Sequence, residues 1–294
     1  MPTPAPKPHR DTLFVEDALI ISHERHPANQ YVLRVAAPQC AAHALPGSFA
    51  HIQCTAALPM RRPLSIMRAD ADRGWVEFLY KDVGLGTHAL GSREEGESIN
   101  LIGPIGTPFR TDRARPRTLL LGGGVGIPPM VFLADRLRAD IHWQPLVLMG
   151  SEVPFPFPAH PSRFLVPGIP EGVIAAMPLL DDWGIPSRLA SLQGYPGCFE
   201  GYITDLARRW LDSLGTEERD EVGVYACGPH PMLAAVARMA GEYGLPCQVS
   251  LEEYMACAVG GCAGCTVRLQ TADGPAMKRV CVDGPVFDAT LIDW

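Results

Sequence analysis

The rhythm of apolar and polar positions changes near Thr118. Before it, from about Asp11 to Arg110, short apolar or alternating stretches are broken by turn residues. Residues 31–36, 48–54, 75–80 and 98–102 read as strands, and Pro46-Gly47, Arg73-Gly74 and Gly103-Pro104 interrupt them. Many short strands with frequent turns predict a small antiparallel barrel or sandwich. The charged, proline-containing stretch 111–117 reads as a linker. Beyond it, Leu119, Leu120 and Leu121 run into Gly122-Gly123-Gly124, and a helical pattern follows with Met130, Leu133, Ala134 and Leu137 on one face. Residues 145–149, 173–176 and 222–226 are strand candidates, and 203–211 and 231–243 read as helices. Alternating strands and helices predict a parallel sheet. The stretch 153–170, rich in proline and phenylalanine, fits neither period. The resulting division is a proline-rich, disordered tail at 1–10, a barrel at 11–112, an α/β unit at 113–246 and a cysteine-bearing segment at 247–294.

Length agrees with that division, since 294 residues exceed one ordinary hydrophobic core. No run approaches eighteen apolar residues, so no transmembrane helix is predicted. The tail lacks the apolar stretch of a signal peptide, which points to the cytoplasm. A net charge of −7 argues against a general nucleic-acid binder, which must neutralise phosphates. No catalytic triad, paired-carboxylate site or HExxH-type metal motif is visible.

Four of the nine cysteines lie within the last forty residues, as Cys257-x4-Cys262-x2-Cys265-x15-Cys281. Without a secretion signal, clustered thiols point to metal rather than to disulfides. The order of gaps follows the plant-type [2Fe–2S] pattern. Small residues between the ligands (Ala256, Ala258, Gly260, Gly261, Ala263 and Gly264) let backbone N–H groups approach the sulfurs. A structural zinc site is the other reading, although zinc more often pairs two C-x2-C knuckles and only one gap here has that length. Cys40, Cys54, Cys198, Cys227 and Cys247 are scattered and read as small apolar side chains.

Gly122, Gly123, Gly124 and Gly126 follow an apolar strand and open a helix that begins Ile127-Pro128-Pro129. Glycines there let the backbone approach a pyrophosphate, and the helix N-terminus supplies free N–H groups. Ile127 occupies the last glycine position of the strict G-x-G-x-x-G fingerprint, so a tight turn without a ligand stays open. Cys227, Gly228 and Pro229 close a second strand before a helix, and both turns should face one crevice. Cys227 there is either a neighbour of a nicotinamide ring or a plain buried thiol. Glu152, after the strand at 145–149, would bond ribose hydroxyls and repel a 2′-phosphate, which predicts NADH over NADPH.

Within the barrel, Arg62, Pro63, Leu64 and Ser65 form an arginine–serine strand, followed by Leu79, Tyr80 and Lys81 and then by Gly86 and Thr87. Taken singly, these are a solvated arginine and a strand serine. In combination with the C-terminal stretches 250–265 and 278–287, the chain resembles the electron-transfer subunits of class 1B dihydroorotate dehydrogenases, in the ferredoxin reductase-like superfamily. The flavin strand of that family reads Arg-Pro-x-Ser, matched by Arg62 to Ser65. Leu79, Tyr80 and Lys81 match its next flavin segment, and Gly86 and Thr87 its Gly-Thr pair.

The resemblance implies an FAD-binding β-barrel, a Rossmann-like NAD domain and a small [2Fe–2S] domain. It implies that Arg62 pairs with the FAD pyrophosphate, that Ser65 lies near flavin N5, and that Gly86 and Thr87 offer donors to the FAD phosphates. It also implies a partner, an FMN-bearing catalytic subunit that oxidises dihydroorotate to orotate, in a heterotetramer. Two other readings remain at this point. One is a reductase subunit of a hydrogenase or ferredoxin oxidoreductase; the other is a zinc-stabilised, non-redox binding module.

Overall fold

The computed structural model describes residues 12–294. The disordered tail expected at 1–10 lies outside them. Six strands close a barrel: β1 (Phe14–His26), β2 (Gln30–Ala36), β3 (Phe49–Gln53), β4 (Arg62–Asp70), β5 (Trp75–Lys81) and β6 (Ser98–Ile105), in the order β1-β2-β5-β4-β3-β6. Neighbouring strands are antiparallel throughout, for example Leu33 opposite Phe78 and Ala50 opposite Leu64. The two-residue period decides what fills the barrel. Ile20, Leu33, Val35, Ile52, Ile66, Val76, Phe78 and Leu101 all point inward and are fully buried. One end is capped by α1 (Pro38–His43), whose first N–H groups, at Gln39 and Cys40, donate to the Glu16 carboxylate at 3.0 and 2.8 Å. A short second helix, α2 (Leu85–Gly91), follows β5.

The outer face of the barrel carries charge where it meets water. Buried Glu77 receives Arg34 at 2.6 Å and Arg68 at 3.5 Å, and the Arg34 guanidinium lies 4.4 Å from the centre of the Trp75 ring. Elsewhere that face is apolar and covered. Met67 and Leu79 point out of the barrel into a second core shared with the next domain.

That domain is an open sheet. Its strands are β7 (Arg117–Gly123), β8 (Gln144–Gly150), β11 (Ser187–Ala190), β12 (Val222–Cys227), β13 (Cys247–Ser250) and β16 (Val286–Asp288), ordered β11-β8-β7-β12-β13-β16. All pairings are parallel except that of β16 with β13. Its helices are α3 (Ile127–Leu137), α4 (Pro178–Asp182), α5 (Ile203–Ser213), α6 (Thr216–Asp220) and α7 (His230–Glu242). Alternate strand residues serve opposite faces. Leu119, Leu121, Leu148 and Val224 pack with Leu206, Trp210 and Val236 of α5 and α7. Leu120, Val147, Met149 and Tyr225 pack with Met130, Leu133 and Leu137 of α3, and with Met67 and Leu79 of the barrel. Helix α3 is therefore the layer between the two domains. No helix among the described residues is long and apolar enough to cross a membrane.

Two expectations change. Residues 173–176 do not join the main sheet: only Ala175–Ala176 (β10) pairs, antiparallel with His160–Pro161 (β9), in a separate ribbon. The third strand on that side is Ser187–Ala190, whose buried Arg188 breaks the apolar run that would mark it in the sequence. The stretch 153–170 is largely irregular and is held to the barrel by Gln30, whose side chain donates to the Pro154 carbonyl at 2.7 Å.

The cysteine segment is woven into this sheet. Cys247, where it was expected to begin, starts β13, and the segment's last strand β16 pairs back on β13. Between them lie the cysteine loop and a hairpin, β14 (Thr266–Thr271) with β15 (Gly274–Arg279). The segment also grips the barrel, where Thr107 N–H donates to the Gly284 carbonyl at 2.6 Å and Gly106 sits against the Pro285 ring. Gly106 has φ +103°, and any Cβ there would collide with Pro285. Gly106→Ala should cost about 2 kcal/mol or more in urea unfolding, from the positive φ and the overlap together; an unchanged midpoint would show that the seam is slack.

Candidate functional site

In the main sheet the chain runs from β7 outward to β8 and β11, then returns to β12 and continues outward to β13. The switch point therefore falls between β7 and β12, and a ligand crevice is expected beyond their carboxyl ends. Both glycine turns lie there, with Cys227 in register with Gly122. Three of the glycines are explained by packing. A Cβ on Gly126 would strike the Cys227 backbone, one on Gly123 the Met232 sulfur, and one on Gly122 would come within 3.0 Å of the Ile127 Cα. Gly124 differs: its φ is +54° and nothing lies within 4 Å of its missing Cβ. It is the glycine that faces open space.

Ile127, which breaks the strict fingerprint, is buried beneath the turn. Cys227 is completely buried, and burial, then the Glu252 carboxylate, push its thiol well above the ordinary range. It is a neutral packing group in register with Ser250 of β13. A hollow of about 150 Å³ beside Arg110, Arg115 and Gln248 lies away from this crevice.

On the barrel, β4 presents Pro63 and Ser65 outward, while Leu64 and Ile66 fill the interior. Leu79 also points out, towards α3. Tyr80 points in: its ring stacks on Tyr31 at 5.2 Å, and its hydroxyl and the His23 Nε2 lie 2.8 Å apart. Tyr80 thus offers a ligand its main chain only, as the alternation Val76, Phe78, Tyr80 implies. Lys81 closes the strand opposite Gln30. Gly86 is pressed against Arg62, whose Nε would lie 2.6 Å from a Cβ at 86. The Arg62 guanidinium donates to the Met60 and Arg61 carbonyls at 3.0 Å and is otherwise free. The Thr87 hydroxyl is already engaged. It accepts from the N–H groups of Val83 and Gly84 at 3.0 and 3.1 Å and lies 3.1 Å from the Gly84 carbonyl.

The four cysteines meet in two pairs. Cys262 N–H points at the Cys257 sulfur at 3.4 Å, and the two thiols are within bonding reach. Cys281 N–H points at the Cys265 sulfur at 3.5 Å, which sets these two thiols side by side. The hairpin brings the distant fourth cysteine home: Thr266 pairs with Arg279, and Val280 N–H donates to the Cys265 carbonyl at 2.9 Å. Ala258 and Ala263 adopt φ of 55° and 54°, rare for residues with a side chain, and these kinks turn amides towards sulfur. Burial alone would raise the Cys257 thiol, but the amides of Cys262, Val259 and Gly261 bring it down to about 7. Burial and the adjoining Cys265 push Cys281 up to about 12. Among the described residues no three His, Cys, Asp or Glu gather round a single-ion point. Two sulfur pairs suit the two irons of a rhomb, each iron taking two thiolates, so the donor set fits a [2Fe–2S] cluster.

Sequence reasoning passed over His51. It lies on β3 opposite Pro63, is almost wholly buried, and neither ring nitrogen has a hydrogen-bond partner. The signal was the alternation of β3, which turns Phe49 and His51 outward while Ala50 and Ile52 fill the barrel.

A closed antiparallel barrel packed through one helix onto a parallel sheet with a crevice at its switch point defines the ferredoxin reductase-like class. Solved structures agree on the fold. A chain of an NADH-dependent reduced ferredoxin-NADP oxidoreductase superposes with a TM-score of 0.75 at 23% identity, covering 95% of this chain and 90% of that one. The ferredoxin reductase of a carbazole 1,9a-dioxygenase gives 0.60 at 22% identity, covering 80% and 67%. The profile of the iron-sulfur cluster binding domain of dihydroorotate dehydrogenase B matches residues 252–293. Dihydroorotate dehydrogenase B (NAD(+)) electron transfer subunits from Desulforamulus reducens and from a Geobacillus species are each 31% identical. The first alignment covers 95% of this chain and 98% of the relative, the second 93% and 96%. The chain belongs to the family of dihydroorotate dehydrogenase B electron transfer subunits.

The glycines make separable predictions. Gly126→Ala should destabilise the fold by about 2 kcal/mol or more, because backbone must move. Gly124→Ala should cost only about 1 kcal/mol, from its positive φ. Equal losses in chemical denaturation would contradict this division.

Proposed function

We propose that this chain carries electrons between NAD(H), bound FAD and a [2Fe–2S] cluster, and exchanges them with an FMN-bearing catalytic subunit that oxidises dihydroorotate to orotate. The observation that carries the reading is the adjacency of three sites in one packed body. Barrel residues Met67 and Leu79 share one core with α3 and the β12 residues Tyr225 and Cys227, while Cys265 and Cys281 pack in the cluster that includes Phe49 of β3, and Thr107 ties the barrel to Gly284 of the cysteine segment. Bound FAD supplies the conversion between a two-electron hydride and single electrons, which neither the nicotinamide nor the cluster can make alone.

The protein's own residues bind, orient and shield. The Arg62 guanidinium, held against Gly86, meets the FAD pyrophosphate as a planar fork. Pro63, the main chain of Leu64 and Ser65 would set the edge of the flavin site, where the outward Ser65 would offer its hydroxyl to N5. Leu79, the main chain of Tyr80, and Lys81 line the same face. The amides of Gly86 and Thr87 take the donor role, because the Thr87 hydroxyl closes its own turn. Gly122, Gly123, Gly124 and Gly126 with Cys227, Gly228 and Pro229 wall the NAD(H) crevice, and Gly124 gives the closest approach. Cys257, Cys262, Cys265 and Cys281 ligate the cluster.

Exposed Tyr254, Val259 and Val282 flank the loop that bears the exposed Cys262. This apolar rim suits contact with the catalytic subunit, in a heterotetramer located in the cytoplasm.

Anaerobic purification with its partner should give a coloured complex containing flavin and two irons per chain. In Cys262→Ser the cluster's visible charge-transfer absorption and iron should be lost; a colourless wild type, or a variant that keeps both, would sink the assignment and favour zinc. Glu152, exposed just past β8, should hold the KM for NADH below that for NADPH, through ribose hydrogen bonds and repulsion of a 2′-phosphate; the reverse order in steady-state assays would refute that role.

A further inference from the structure

We propose that His51 is a positioning residue, tying the cysteine loop to the flavin-binding face of the barrel through a hydrogen bond from its ring to the Met255 carbonyl. The inference rests on the reading above and adds a residue to it. His51 sits on β3 in register with Pro63, one diagonal step from Ser65 on the same outward face. In an antiparallel pair, that diagonal step spans about 7–8 Å, and the Cβ atoms lie somewhat closer. Above the ring runs the segment that leads into the first cluster ligand, with Met255 buried two residues before Cys257. The Met255 and Arg61 carbonyls both face the imidazole, yet neither forms a bond of ordinary geometry, and among the described residues both nitrogens are left without a partner.

A buried polar group without a partner is costly, so native interiors satisfy it. The acceptors within reach are those two carbonyls, and the Met255 carbonyl belongs to the cysteine loop. Burial, then the Arg61 and Arg62 guanidinium groups, lower the ring to about 4. The ring therefore stays neutral across the working pH range, with one N–H to donate. Arg61 steadies it from behind, donating to the main-chain carbonyls of His51 and Asn100 at 3.1 Å each. A strut here fixes how far the cluster stands from the flavin strand, without touching the nicotinamide crevice.

The test uses the complete two-subunit complex. His51→Leu keeps bulk and removes the donor; His51→Gln keeps an N–H donor. Three quantities are read: flavin and iron content, hydrogen exchange of the amides in 255–262, and the rates of flavin and cluster reduction by NADH in stopped flow. Loss of one hydrogen bond predicts about tenfold faster exchange in the loop for His51→Leu. Cluster reduction should slow, flavin reduction should stay at the wild-type rate, and His51→Gln should recover both exchange and cluster reduction. If a fully loaded His51→Leu matches wild type in loop exchange and cluster reduction, the strut does not exist. If His51→Leu does not assemble, His51→Gln decides: recovery supports the strut, and an equal defect assigns the site to packing of the ring and overturns it. Absence of flavin or iron in the wild type would instead defeat the functional reading, which keeps the two failures apart.

Discussion

Backbone pairing of the four residues Cys247–Ser250 with strands on both sides holds the rest of the arrangement in place. On one side they bond in parallel to β12, whose end forms half of the crevice at the switch point. On the other they bond antiparallel to β16, which returns from the cysteine hairpin. The loop that carries the thiols is therefore anchored at both ends to the sheet that builds the crevice. Its position relative to that crevice is set by ladder hydrogen bonds rather than by side-chain contact across a hinge. Electron transfer between separate cofactors needs fixed spacing, and an interrupted sheet would not provide it.

The barrel is locked to the same frame by apolar packing. Met67 and Leu79 leave the barrel wall to join the α3 core, while Phe49 joins the core of the opposite sheet face. Gly106 and Thr107 add a backbone seam to Gly284 and Pro285. Strand β4 thus has α3 on one side, and Phe49 of neighbouring β3 packs in the cluster that holds Met255, Cys265 and Cys281. The candidate sites share neighbours, so a change at one should be felt at the others through packing.

What the sequence made legible followed from periodicity and spacing. Alternation marked β2, β3, β5 and β6, because their inward residues are apolar and their outward ones mostly are not. Four cysteines in a short window announced a metal centre, since few other uses place thiols at those gaps. Other features depended on pairing at a distance. Residues 187–190 contain a buried arginine and carry no strand signal, yet they take the edge place in the sheet. Nothing local shows that β13 and β16 bracket the cysteine loop, nor that a hairpin delivers Cys281 beside Cys265. At Gly122, Gly123 and Gly126 neighbouring protein leaves no room for a Cβ, a constraint only contacts reveal. His51 was hidden because a lone histidine in a strand carries no motif.

The two thiol pairs are not equivalent towards solvent. Cys265 and Cys281 are sealed inside, whereas Cys262 is exposed and Cys257 half-buried. The open side is where an electron can leave with little intervening protein. It is also where dioxygen or peroxide meets sulfur first, because oxidation follows access to the thiol. Any partner that covered that side would also shield it, so the uncovered chain should oxidise from its outer pair inward.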